Sequence, residues 1–205
     1  MKTKLIIIVM SFLLVLPGVI LAQDRTEGKG SYLNDTLRVI HSRKSVRHFL
    51  DKPVSKEDLL ALVRAGMAAP TARNQQPWAF VVVTDKEVRT KLAEGLPYTK
   101  MLNDAGAAII VCGVMTRALQ GEERGFWVQD CSAATENILL AAESLGLGAV
   151  WSGMYPLEER VKYVREVLRI PEDVVPLNVI PIGYPAGDEK PKDKFNPANI
   201  HWEKW

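Results

Sequence analysis

The sequence is poor in metal-binding and redox-active side chains. Three histidines, His41, His48 and His201, and two cysteines, Cys112 and Cys131, are the whole complement. None has a partner at ligand spacing, so no metal is expected. No G-x-G-x-x-G follows a strand pattern, and neither a P-loop nor a G-x-S-x-G elbow occurs. These absences argue against a Rossmann nucleotide site, a P-loop NTPase and a serine hydrolase. The chain also lacks an internal repeat, a low-complexity segment and a sign of a second domain. A strong charge of one sign is missing too. Lys plus Arg number 26 and Asp plus Glu 24, and Lys2 and Lys4 are the only charges in the first 22 residues. Beyond that segment the balance is zero. General nucleic-acid binding needs a basic face and is not expected. Any anion site has to be local.

What the chain does have is 205 residues at 47% hydrophobic, enough for one domain with a sizeable core. Lys2 and Lys4 precede a long apolar run that Pro17-Gly18 interrupts and that closes at Ala22. This pattern reads as a secretory signal peptide over residues 1–22. Residues 23–32 read as a linker and residues 33–205 as the folded domain. The expectation is an exported, periplasmic protein. It would touch a membrane only through an uncleaved N-terminal segment, and would be cytoplasmic if that segment is no signal. Two cysteines in an exported chain could pair. Cys112 lies within an apolar run and Cys131 on an apolar helix, which favours buried free thiols.

Helices alternate with four strand patterns, giving an α/β or α+β sandwich around one sheet. Asn34 caps a first helix, and Ser55-Lys56-Glu57-Asp58 opens a second in the manner of a capping box. Residues 78–83 and 107–115 read as buried strands. Residues 126–145 form the longest helix, apolar on most sides, as for a central helix or a subunit interface. Gly146 ends it. Residues 148–153 read as a short strand. Residues 174–183 read as an edge or irregular strand because Pro176 and Pro181 interrupt it. The tail carries Lys190, Lys192 and Lys194 and ends in Trp202 and Trp205, which suit packing on a neighbour.

Arg43-Lys44-Ser45-Val46-Arg47 puts three cations and a hydroxyl within five residues. An extended backbone would turn Arg43, Ser45 and Arg47 to one side. Forked guanidiniums, an ammonium and a hydroxyl suit a phosphate. By composition alone a solvated basic turn is the stronger reading. Residues 69–78, Ala-Pro-Thr-Ala-Arg-Asn-Gln-Gln-Pro-Trp, form a polar loop with donors and acceptors fixed between prolines. On its own it is equally an ordinary helix-to-strand connection. Residues 98–104 read as a short helical piece and residues 116–125 as a loop, and the 98–103 region and that loop could face a site.

In this order, the basic stretch, the polar loop, the long helix closed by Gly146, residues 148–153, and Gly183-Tyr184-Pro185 with its basic tail resemble the flavin-dependent nitroreductase family. The likeness covers residues 33–205. It implies an α+β, three-layer sandwich with a mixed, mainly antiparallel sheet, working as an intertwined homodimer with FMN at the subunit interface. It further implies roles for individual residues. Arg43 and Ser45 would hold the phosphate and ribityl chain, with Lys44 as an auxiliary charge. Arg47 would reach the pyrimidine edge. Pro70, Thr71, Ala72 and Asn74 would come from the other subunit, and Gln76 would either touch the flavin or shape that loop. Trp151, Ser152 and Gly153 would lie near N5, and Lys192 and Lys194 would close on the phosphate.

No side-chain acid or base is then needed, because the cofactor carries the chemistry. The implied activity takes hydride from NAD(P)H and reduces a nitroaromatic, a quinone or a similar small acceptor in two steps. A related flavoenzyme with another donor or substrate, dehalogenase- or dehydrogenase-like, and a non-catalytic flavin-binding protein are the alternatives. Export and a cytosolic donor such as NAD(P)H pull in opposite directions.

Overall fold

A computed structural model describes residues 34–205. The signal peptide and linker expected over residues 1–32 lie outside the described residues. Ten elements follow in chain order: α1 (Asp35–Ser42), α2 (Lys56–Met67), β1 (Trp78–Val83), α3 (Lys86–Gly95), β2 (Ala107–Val114), α4 (Phe126–Ser144), β3 (Gly148–Ala149), β4 (Ser152–Gly153), α5 (Glu158–Leu168) and β5 (Val174–Gly183). Short 3-10 turns lie at Ala72–Asn74, Lys100–Asn103, Gly121–Gly125 and Pro197–Asn199.

Local chemistry sets most helix starts. Asn34 Oδ1 accepts from Leu37 N, Ser55 Oγ from Asp58 N and Asp85 Oδ1 from Val88 N, each at 2.9–3.0 Å. Each satisfies a donor that the first turn leaves unpaired, worth about 1 kcal/mol. At the far end of α4, Gly146 takes φ +71° and Leu147 N bonds back to Ala142 O at 2.8 Å. A left-handed residue there closes the helix at little cost only if it is glycine.

The sheet runs β1-β2-β5-β3, with β4 also on β5, and all of these pairs are antiparallel. One parallel bridge, Ser45 to Ala149, makes it mixed. β2 is buried from Ala107 to Gly113, and its side chains alternate between two cores. Ala107, Ile109 and Val111 face Leu62, Ile138 and Leu139 of α2 and α4. Ala108, Ile110 and Cys112 face Leu92 and Val164 of α3 and α5. A sheet buried on both faces reads as an unbroken apolar run, as this one does. The result is the expected α+β three-layer sandwich.

β5 departs from expectation. It is a central strand, with β2 on one side and β3 and β4 on the other. The sequence suggested an edge because proline cannot donate to a ladder. Two features reconcile its prolines with a central place. The register passes from Asn178 opposite Val111 to Pro176 opposite Cys112, leaving Leu177 as an extra residue. That bulge puts Pro181 and Pro176 opposite Ala108 and Cys112, four apart and therefore in the same phase of β2. On the other side β3 pairs with residues 182 and 183 and β4 with 178 and 179, so neither proline falls in that ladder. The single strand expected over 148–153 is accordingly two short ones.

α4 is covered on one side only within this chain. Trp127, Cys131, Ala134, Ile138 and Ala142 are buried, while Phe126 and Glu136 on it and Leu145 just past its end are exposed. α1 has no buried residue among the described residues, and Leu37 and Ile40 on it are exposed. The tail also stays open within its own chain: Trp202 is 80% and Trp205 100% exposed. Cys112 and Cys131 are free and buried. No described helix is long and apolar enough to cross a membrane.

Candidate functional site

The basic stretch runs extended from the end of α1 and is fixed by its backbone. Ser45 bridges Ala149, and Val46 N donates to Ala149 O at 3.0 Å. Val46 turns inward to pack with Phe49 and Ala105. Its neighbours are thereby turned outward. The close approach depends on Gly148, where a Cβ would sit 2.6 Å from Val46 Cγ1.

Arg43, Lys44, Ser45 and Arg47 line one cavity of about 400 Å³ with Glu189, Lys190, Lys192 and Lys194. Six cations and one carboxylate make a locally positive site on an otherwise neutral chain. Two of the cations are already engaged by α4. Arg43 Nε lies 3.2 Å from Glu136 Oε1, and Lys44 Nζ 3.1 Å from Glu143 Oε2. Arg47 N and His48 N both donate to Glu189 Oε1, at 2.8 and 3.2 Å. These bonds, the Arg47 N–H first, hold the Glu189 carboxyl down at about 2.

A second cavity of about 200 Å³ is lined by Arg47, Tyr98, Met101, Trp151, Ser152, Gly153 and Arg160, among others. Arg47 therefore borders both cavities. Arg160 Nη1 donates to Gly153 O at 3.1 Å and fixes the end of β4. Tyr98, 87% exposed and at φ +61°, stands on the rim. Two larger clefts, about 890 Å³ along α5 and about 660 Å³ beside Trp127 and Tyr155, contain none of the expected phosphate or ring contacts. Thr116, Gln120 and Arg124 of the other candidate loop line the second of these.

The polar loop is built with strain. Arg73, Asn74 and Gln76 all have positive φ, at 48°, 57° and 50°. Such residues cost about 1–3 kcal/mol each and persist where the surroundings enforce them. Here Gln76 N donates to Thr71 Oγ1 at 3.0 Å and Gln76 Nε2 to Asn74 Oδ1 at 3.0 Å. Ala72 N donates to Asp130 Oδ1 of α4 at 2.8 Å. Burial pushes the Asp130 carboxyl upward, against the pull of that N–H. Within one chain this loop lies toward the start of α4. Glu136 and Glu143, which hold Arg43 and Lys44, stand about 9 and 20 Å further along at 1.5 Å per residue. Pro70, Thr71, Ala72, Asn74 and Gln76 are thus held apart from the basic cavity of the same chain.

The structure therefore gathers Arg43, Lys44, Ser45, Arg47, Lys192 and Lys194 in one place. Trp151, Ser152 and Gly153 lie next to it through Arg47. Glu189, Arg160 and Asp130 carried no expectation from the sequence, and Lys190 was noted there only as part of the basic tail. Asp130 alone left a signal, as an acid in an apolar stretch of α4. Among the described residues no cluster of His, Cys, Asp and Glu could hold a metal ion.

Comparison with known proteins gives the family. The family model described as the nitroreductase family matches residues 40–96 and 94–184. A relative from Archaeoglobus fulgidus, provisionally named NADH dehydrogenase/NAD(P)H nitroreductase, is 48% identical over 177 residues, covering 84% of this chain and 100% of its own. A crystal structure from Parabacteroides distasonis under the same provisional name is 49% identical with a TM-score of 0.80, covering 84% of this chain and 100% of that one. The NADPH:FMN oxidoreductase of Vibrio harveyi, solved with NAD+, is 27% identical with a TM-score of 0.75, covering 84% and 78%. The matched span takes in the basic stretch, the strained loop and the Trp151–Gly153 segment, and the chain belongs to the nitroreductase family.

Proposed function

We propose that this protein is an FMN-dependent oxidoreductase that uses NAD(P)H to reduce a nitroaromatic, a quinone or a similar small acceptor. The observation that carries the reading is the place of Arg47, shared between a cavity rich in cations and a second one edged by Trp151, Ser152 and Gly153. A ligand with a phosphate at one end and an electron-accepting ring at the other fits that pairing. Arg43, Ser45, Lys192 and Lys194 would hold the phosphate, with Lys44 adding charge. Arg47 would face the ring edge where negative charge gathers on reduction. Residues 151–153 would border the ring. FMN, when bound, would supply the redox chemistry, accepting hydride from NAD(P)H and passing electrons on in a second half-reaction. The printed names of relatives, an FMN reductase of Bacillus subtilis among them, support this class of activity.

The site is completed, in this reading, by a second copy of the chain. Three observations support an intertwined homodimer: the strained loop is held away from its own basic cavity, the apolar side of α1 is open, and the Trp-bearing tail is exposed. The partner's loop would supply the contacts of Pro70, Thr71, Ala72 and Asn74, with Gln76 shaping or joining them. Export through residues 1–22 remains part of the proposal, with the donor in that compartment to be found. Recovery of the protein only from the cytosol with those residues intact would overturn the export.

The test of the activity is direct. Purified protein should take up FMN, turn yellow, and bleach without oxygen on addition of NADH or NADPH. A protein that takes up no FMN sinks the reading. A yellow protein inert to both nicotinamides would instead be a flavin-binding protein or a flavoenzyme with another donor.

A further inference from the structure

Glu189 is a single carboxylate among six cations in the proposed phosphate cavity. One oxygen, Oε1, accepts from Arg47 N at 2.8 Å and His48 N at 3.2 Å, and lies 2.8 Å from His48 Nδ1. A neutral His48 protonated at Nδ1 can make that third bond, so the contact does not require a charged ring. Up to this point the tail is paired with the segment after Arg47. Leu50 N donates to Tyr184 O, and Ala186 N to His48 O, each at 2.9 Å. Beyond Glu189 the chain runs exposed to its end. The approach is tight: a Cβ on Gly187 would lie 2.4 Å from Glu189 Oε2 and 3.0 Å from His48 Nδ1.

We infer that Glu189 is a positioning residue that pins the start of the basic tail to the Arg47–His48 backbone, keeping Lys190, Lys192 and Lys194 over the anion cavity. The inference rests on the FMN reading for its ligand. It makes a prediction opposite to that of charge alone. Removing a carboxylate from a cationic pocket should strengthen anion binding by Coulomb's law. Removing the pin frees three lysines from the cavity and weakens it.

FMN and riboflavin, which lacks the phosphate, are titrated by fluorescence into wild type, E189A and E189Q at one fixed salt concentration. E189A should bind FMN at least tenfold more weakly and riboflavin within twofold of wild type. E189Q, which keeps an acceptor oxygen, should fall between. FMN binding by E189A that is equal to or tighter than wild type overturns the pin. A wild type that binds no FMN sinks the functional reading instead, and limited trypsin cleavage of the flavin-free chain then decides the pin. Faster nicking after Lys192 or Lys194 in E189A supports it, and equal rates overturn it.

Discussion

Both carboxylate oxygens of Glu143 lie on the ammonium of Lys44, at 3.1 and 3.2 Å. Much of the charge of Lys44 is thus spoken for before any ligand arrives, whereas Arg43 is engaged by Glu136 only through Nε. The two cations should therefore differ. Arg43→Ala should weaken FMN binding by about 1.5–3 kcal/mol, the range for a hydrogen bond to a charged group. Lys44→Ala should cost under about 1 kcal/mol, in the range of a partly exposed ion pair. Fluorescence titration of both variants checks the order, and equal losses would place the phosphate nearer Lys44.

Gly148 is the point where the basic stretch crosses β3, with no room for a side chain beside Val46. Gly148→Ala should destabilise the fold by about 1–3 kcal/mol, the usual cost of overpacking. Because the displaced strand carries Ser45, flavin affinity should fall with it. The denaturant midpoint and an FMN titration measure the two effects separately. An unchanged midpoint would contradict the close approach.

Asp130 gives a pH dependence with a definite sign. Burial raises its pKa in the folded state, so the fold holds this proton more tightly than the unfolded chain does. Its contribution is full below the ordinary aspartate value near 3.8 and is lost as pH rises through the raised one. Asp130→Asn keeps an acceptor for Ala72 N–H and should remove this part of the pH dependence. Asp130→Ala leaves that N–H without its partner and should cost about 1–3 kcal/mol. Urea unfolding of the three proteins from pH 4 to 8 provides the comparison.

The two thiols should be inert in the folded chain. Burial pushes Cys112 up to about 12 and Cys131 further in the same direction. The reactive thiolate is then negligible at neutral pH. A thiol reagent should label neither residue in native protein and both after unfolding. Fast labelling of the native protein would contradict the burial.

Assembly is measurable by sedimentation. The exposed side of α1, the open flank of α4 and the aromatic tail should be covered by a second chain. Two chains per particle at micromolar concentration is the expected result. A stable monomer that binds FMN fully would show that one chain suffices for the site.

Much of the fold was legible because its signals are local. β2 is a continuous apolar run, and Asn34, Ser55 and Asp85 cap the residues that follow them. Arg43, Ser45 and Arg47, expected on one side of an extended backbone, line one cavity, but so does Lys44, which alternation alone would have turned away. β5 was misjudged because the phase of its prolines depends on a bulge that only the partner strand reveals. Glu189 and Asp130 act on backbone N–H groups 142 and 58 residues away, so no spacing announces them. Arg160 holds Gly153 across only seven residues, but through a carbonyl, which every residue type possesses.

The extra residue in β5 also limits which changes in length the chain can absorb. Leu177 works as a spacer that keeps two proline-bearing halves in step with one template. Were Leu177 paired rather than bulged, Val174, Val175 and Pro176 would each slide by one position against β2 and exchange their up and down faces. Pro176 would then fall where β2 needs a donor. An added paired residue between Pro176 and Asn178 should have the same effect, so the middle of this strand admits substitution more readily than insertion.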